Sequence, residues 1–165
     1  MTRLYLIVGV IAVSIAVVIL LLVRGGGLPQ ETPRPMAMTC RDFTQATVTI
    51  ADHTWQVALA QTPAQQARGL MECTSLPANV GMYFVYDEPQ QVRFWMKNMR
   101  LPIDIIWISN NKVVDVLSNI QPAQENGGER TIYTSPAKID GVLEIKAGSS
   151  AANGIVAGSE VTVRR

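Results

Sequence analysis

Asp104-Ile105-Ile106-Trp107-Ile108-Ser109-Asn110-Asn111-Lys112-Val113-Val114-Asp115-Val116-Leu117 is the stretch that decides the fold. Both halves are rich in β-branched and aromatic residues, which fit a pleated, half-buried surface. Asn110-Asn111 separates them, and asparagine tolerates the positive φ of a tight turn. The stretch reads as a strand from Asp104 to Ser109, a turn, and a strand from Lys112 to Leu117.

The same signals recur on both sides. Ala46, Val48 and Ile50 alternate with Thr47 and Thr49, and Trp55, Val57 and Leu59 repeat the pattern after Ala51-Asp52-His53, which predicts a hairpin. Strands are also expected at Val80 to Tyr86, Val92 to Lys97, Thr131 to Tyr133, Val142 to Lys146 and Val161 to Val163. Two short helices interrupt them. Thr62-Pro63-Ala64-Gln65 combines a capping residue, a proline suited to the first turn and the glutamine of a capping box, and the helix should stop near Gly69. Ser149 to Gly154 is the second. Gln121 to Arg130, polar and carrying Gly127-Gly128, reads as an exposed loop. Many short strands with turn signals predict a mostly β fold: a compact all-β sandwich or barrel with one or two short helices.

The composition of the 165 residues is uneven. Hydrophobic residues make up 48% and charged ones 16%, against about 25% charged in an average soluble domain. The excess lies in Leu4 to Val23, where 18 of 20 residues are apolar and none is charged. A bilayer core needs roughly 20 apolar residues in a helix, so this segment reads as a transmembrane helix preceding the β domain. A secretory signal peptide has a shorter apolar core and a small-residue cleavage site; no Ala-x-Ala pattern follows here directly. The chain divides into an anchor over 1–24, a Gly/Pro linker over 25–40 and one β-rich domain over 41–165. Gly25-Gly26-Gly27 frees the linker backbone, and Pro29, Pro33 and Pro35 stiffen it. Arg3 and the terminal amine precede the segment and Arg24 follows it. The signal-like position sets the N-terminus in the cytoplasm and the domain on the extracytoplasmic side of the cell membrane.

Beyond residue 24 there are 12 Lys plus Arg and 13 Asp plus Glu, with no basic block. That balance argues against nucleic acid and against electrostatic attachment to anionic lipid. Cys40 and Cys73 are the two cysteines. In an exported domain an even count suggests a disulfide, and two buried thiols are the alternative. No ligand spacing joins them to His53, the single histidine, so no metal and no cofactor is expected. The alternation of Met36, Met38 and Cys40, with Met71, Met82, Met96 and Met99, raises copper handling, but methionine more often fills irregular cores.

The densest chemistry is Phe94-Trp95-Met96-Lys97-Asn98-Met99, followed by Pro102-Ile103-Asp104-Ile105-Ile106. Alternation turns Phe94 and Met96 one way and Trp95 and Lys97 the other. Trp95 beside Lys97, with Asn98 and Asp104 across a bend, suits a small polar ligand: the indole packs an apolar face and the polar groups fix orientation. A core Trp95 and a Lys97–Asp104 pair are the structural alternative. Arg68, at the end of the first helix, can clamp an anionic group, or serve as a helix-end cation or a salt-bridge partner of Asp104.

With Arg68-Gly69-Leu70-Met71, Gly81-Met82-Tyr83-Phe84-Val85-Tyr86, Phe94-Trp95-Met96-Lys97-Asn98 and Pro102-Ile103-Asp104-Ile105-Ile106 in that order, the chain resembles the prokaryotic domain-of-unknown-function 192 family. Tyr133, Val142-Leu143-Glu144-Ile145, Ala147-Gly148, Gly154-Ile155 and Gly158 fit its C-terminal half, and the resemblance covers about residues 47–163. Met99 stands where the family more often has threonine, which removes a hydroxyl from the pocket region. The resemblance implies a compact, mostly β fold behind an export signal or anchor, and no established activity.

The expectation is therefore a membrane-anchored extracytoplasmic domain that binds a small polar ligand or an envelope partner. Trp95 stacks on it, Arg68 and Lys97 take an anionic group, and Asn98 and Asp104 orient it. A hydrolase is the alternative, using Asp104 with Glu144 or Asp140 across one cleft. A purely structural assembly module is a third class; it would show an apolar patch and no polar concavity.

Overall fold

The computed structural model describes residues 46–71, 73–123 and 131–165. The expected anchor at Leu4 to Val23, the linker, Cys40 and most of the loop before Thr131 lie outside them. No helix among the described residues is long and apolar enough to cross a membrane. The chain runs β1 (Ala46–Ile50), β2 (His53–Ala60), α1 (Pro63–Arg68), β3 (Val80–Gln90), β4 (Arg93–Phe94), β5 (Ile103–Ser109), β6 (Lys112–Ile120), β7 (Tyr133–Thr134), β8 (Ile139–Lys146), α2 (Ser149–Ala152) and β9 (Val161–Arg164).

Local chemistry accounts for the connections. Asn110 and Asn111 take φ of 50° and 58°, the paired positive values of a type I′ turn, and Ser109 stands opposite Lys112 as β5 and β6 pair antiparallel. β1 and β2 form the expected hairpin, with Ile50 opposite His53. The α1 capping box is complete: the Gln65 amide donates to Thr62 Oγ1, and Gln65 Oε1 accepts from the Thr62 amide. Gly69 ends the helix with φ 50°.

Seven strands form one sheet in the order β6-β5-β8-β3-β2-β1-β9, and β4 with β7 forms a small second sheet. Most neighbours are antiparallel, while β2 and β3 are parallel, so residues 61–79 must cross over a face of the sheet. The large sheet curls until its ends meet. Val113 donates to Ser159 O, Gly158 to Val113 O and Val161 to Asn111 O, at 2.8–2.9 Å, and Lys112 bridges to Glu160. The result is a mostly β half-barrel with two short helices.

Each face of the curled sheet carries its own core. Inside the curl Val48, Ile50, Val57, Tyr83, Ile106, Ile108, Leu143, Ile145 and Val161 pack together. On the outer face Ala58, Ala60, Met82, Phe84, Ile103, Ile105, Trp107 and Val142 are covered by Leu70, Cys73, Leu76, Val92, Met96, Met99 and Leu101. The central strands are apolar on both sides, which is why Asp104 to Ser109 reads as an almost continuous hydrophobic run. The expected strand from Val92 to Lys97 contracts to Arg93–Phe94. Beyond it the Met99 amide donates to Met96 O and Asn98 adopts φ 56°, so the chain bends there and runs across the outer core.

Asp104 is fully buried on the inner side of β5. Its Oδ1 accepts from the amides of Asn119, at 2.7 Å, and Gly148, at 3.0 Å. Its Oδ2 accepts from the Ser150 amide, at 2.8 Å, and Ser150 Oγ, at 2.6 Å. Four donors from β6 and from the turn into α2 thus converge on one carboxylate and fix the helix that closes this end of the curl. Asp104→Ala removes every one of these acceptors and leaves buried amides unpaired. We expect a loss of about 3 kcal/mol or more in unfolding free energy, read as a lower urea midpoint, with Asp104→Asn intermediate.

Candidate functional site

A cavity of about 420 Å³ opens on the outer face of the sheet. One wall is the crossover, from Gln66 through Arg68, Gly69 and Leu70 to Met71; the other is the segment from Gln90 to Trp95, with Phe84, Tyr86 and Glu144 between them. Each wall is tied down. Gln66 Nε2 donates to Val85 O at 2.9 Å and holds α1 over β3. Opposite, the Val92 amide donates to Ser135 Oγ at 3.1 Å and the Ser135 amide to Val92 O at 2.9 Å. Phe94 stands edge-on to Phe84 at 4.9 Å and to Trp107 at 5.4 Å between ring centroids. The aromatic side of the cavity is therefore rigid.

Glu144 belongs to the outer face because it stands opposite Ile105 on β5 and Met82 on β3. Its side chain is 5% exposed, and Oε2 has no hydrogen-bond partner among the described residues. Burial pushes its carboxyl up to about 8, so it holds its proton at neutral pH. Tyr86 is raised to about 12, first by burial and then by the nearby Glu144 charge, so its phenol stays protonated. Gly69 lies over the acid. A methyl group there would come within 3.4 Å of Phe84 Cζ and 3.8 Å of Glu144 Oε2.

Of the five expected site residues, two line this cavity. Arg68 is the last residue of α1, and Trp95, 38% exposed, follows β4. Lys97 is exposed and does not line it, but its Nζ lies 5.3 Å from the centroid of the Trp95 ring. Asn98 is exposed at the bend. Asp104 is not brought to the cavity, since it faces the inside of the curl. In the β5–β8 register Asp104 stands opposite Ile145 and Ile105 opposite Glu144. Directly opposed residues share a face and neighbours in sequence do not, so Asp104 and Glu144 point to opposite sides of the sheet. Asp140 sits five residues from Ile145 along β8, roughly 17 Å away, and accepts from the Asn110 amide at 3.1 Å. The paired-carboxylate cleft of the hydrolase alternative therefore does not form around Asp104.

On sequence grounds Glu144 figures only as a partner for Asp104. Its own signal is a single acid inside the apolar run Val142-Leu143-Glu144-Ile145. Cys73 is buried and disulfide-bonded. No group of three or more His, Cys, Asp or Glu among the described residues is placed to hold a metal ion.

The raised Glu144 has a consequence for stability. The folded chain binds its proton up to about pH 8, whereas the unfolded carboxyl releases it near 4.5. Unfolding therefore releases a proton between these values, and the Glu144 contribution to stability falls as pH rises through that window, then levels off. Melting curves should show this decline in the wild type and a flatter profile over pH 4.5–8 in Glu144→Gln.

Comparison with solved structures gives two matches. A crystal structure of a protein of unknown function from Novosphingobium aromaticivorans DSM 12444 superposes with a TM-score of 0.65 at 33% identity, covering 70% of this chain and 83% of that one. A structure from Sinorhizobium meliloti 1021, described as a "putative transcription regulator", gives 0.67 at 27% identity, covering 73% and 95%. No curated protein matches significantly. Residues 46–163 match the family model DUF192, described as an uncharacterized ACR. With the match spanning nearly the whole β domain, the chain belongs to the DUF192 family.

Proposed function

We propose that this protein is a membrane-anchored extracytoplasmic domain that binds a small polar ligand in the outer-face cavity. The observation that carries the reading is Glu144: a buried carboxyl whose Oε2 has no hydrogen-bond partner among the described residues, between the Arg68 and Trp95 walls of a concave site. Unpaired buried polar atoms are costly and seldom kept in a core without a role. Ligand sites combine apolar and aromatic walls with a few convergent polar groups, and here Phe84, Phe94 and Trp95 supply the first while Arg68, Gln66 and Glu144 supply the second. Lys97, beside the Trp95 ring, adds positive charge near the mouth.

The anchor is supported by the uncharged apolar run from Leu4 to Val23. The extracytoplasmic placement is supported by disulfide-bonded Cys73, since disulfides persist in oxidising compartments. The near-neutral charge beyond residue 24 favours a small molecule or an envelope component over nucleic acid. That balance is also why the regulator description of the Sinorhizobium protein is not carried over.

Two experiments test the parts separately. A thermal-shift screen of small polar compounds on the full chain in neutral detergent should yield stabilising ligands. Their effect should be lost in Trp95→Ala and at least tenfold weaker in Arg68→Gln, and kept in Asp104→Asn. Equal stabilisation of all four proteins excludes this cavity. In cell fractions the protein should stay in the membrane pellet through alkaline carbonate extraction, and protease added to spheroplasts should remove the β domain. Recovery of the full chain in the soluble fraction overturns the anchor.

A further inference from the structure

The cavity combines side chains of opposite chemistry. At its floor Glu144 is almost fully buried, and Oε2 receives no hydrogen bond from the described residues. Burial is what raises its proton affinity, and no described cation offsets the effect. The chain thus places an acid in the cavity without a described counter-charge close enough to hold it ionised. Arg68 and Arg93 also line it, so the same cavity holds cationic side chains. The rings of Phe84, Tyr86, Phe94 and Trp95 complete its aromatic lining. Aromatic faces attract cations, tryptophan most strongly. Lys97 already places its ammonium 5.3 Å from the Trp95 centroid.

We infer that the cavity takes a small zwitterion, with its ammonium group on Glu144 among the aromatic rings and its carboxylate on Arg68 and Arg93. This inference rests on the reading of the cavity as a ligand site and adds the class of ligand. A purely anionic ligand would leave Glu144 unpaired. A neutral hydroxyl would satisfy Oε2 but bring no counter-charge. An ammonium supplies donor and charge together, and a buried carboxylate is stable only when both are met. The described charged and titratable groups lining the cavity around Glu144 are Arg68 from α1, Tyr86 from β3 and Arg93 from β4. β5 contributes only Ile103, Ile105 and Trp107 to this face. Ammonium binding therefore drives the Glu144 proton into solvent, and affinity must rise with pH.

Calorimetric titration of the full chain in neutral detergent tests this with three probes: β-alanine, ethylamine and propionate. β-Alanine carries both groups, ethylamine the ammonium alone and propionate the carboxylate alone; each keeps its charge between pH 6 and 9. β-Alanine should bind more tightly than either single-group probe. Its affinity should rise at least tenfold from pH 6 to pH 9. Glu144→Gln should weaken β-alanine at least tenfold and remove the pH dependence. If propionate binds as well as β-alanine, or the wild-type affinity is flat with pH, the zwitterion is wrong while the ligand site stands. If none of the probes binds at millimolar concentration, the zwitterion is again overturned, and the broader screen decides the site. The wild-type pH profile separates these outcomes even if Glu144→Gln does not fold.

Discussion

A β-strand turns successive side chains to opposite faces, and in the middle of this sheet both faces are buried. Almost everything distinctive about the protein follows from that constraint. On β5 and β8 the rows Asp104–Ile145 and Ile105–Glu144 are neighbours in the register, yet their side chains belong to different cores. One acid falls inside the curl and the other outside. Asp104 finds three amides and a hydroxyl waiting for it, and its carboxylate becomes the fastening point of α2. Glu144 meets Met82, Phe84 and Ile105 on its own face, and desolvation dominates its behaviour. Two carboxyls in adjacent rows thus acquire unlike roles.

The outer face could not keep such an acid if it were packed like the rest of the core. The irregular cover leaves a cavity beside it. The crossover and the segment from Gln90 to Trp95 wall that cavity, and Gly69 lies over the acid. The Phe84–Phe94–Trp107 ring contacts stiffen one side, and Gln66 fixes the other. A cavity held by such contacts is preformed, so the proposed ligand would meet walls that are already ordered.

The elements that local chemistry specifies are legible in the sequence. Asn110-Asn111 announces its turn, Thr62 to Gln65 its capping box, and Ala46 to Ile50 its alternation. The strand expected at Val92 is too long because its apolar pattern continues through Met96, whereas its pairing partner β7 has only two residues and Asn98 turns the chain away. For the site, motif density points to Arg68 and Trp95. It does not separate Asp104 from Glu144, because the side on which each acid falls is set by β5–β8 pairing between segments some forty residues apart. Nor does it show that the hydroxyl and amides around Asp104 come from Ser150, Gly148 and Asn119, which lie fifteen or more residues away.

The parallel pairing of β2 with β3 carries one more consequence. Its crossover, residues 61–79, supplies a wall of the cavity but no strand to the large sheet. The half-barrel and the cavity are thus separable in evolution: substitutions or small insertions after Gly69 can reshape what the floor acid meets while the strand register stays intact. Under the proposed function, relatives with the same sheet would differ in ligand, and likeness of fold across the family would guide specificity less than the composition of this one connection.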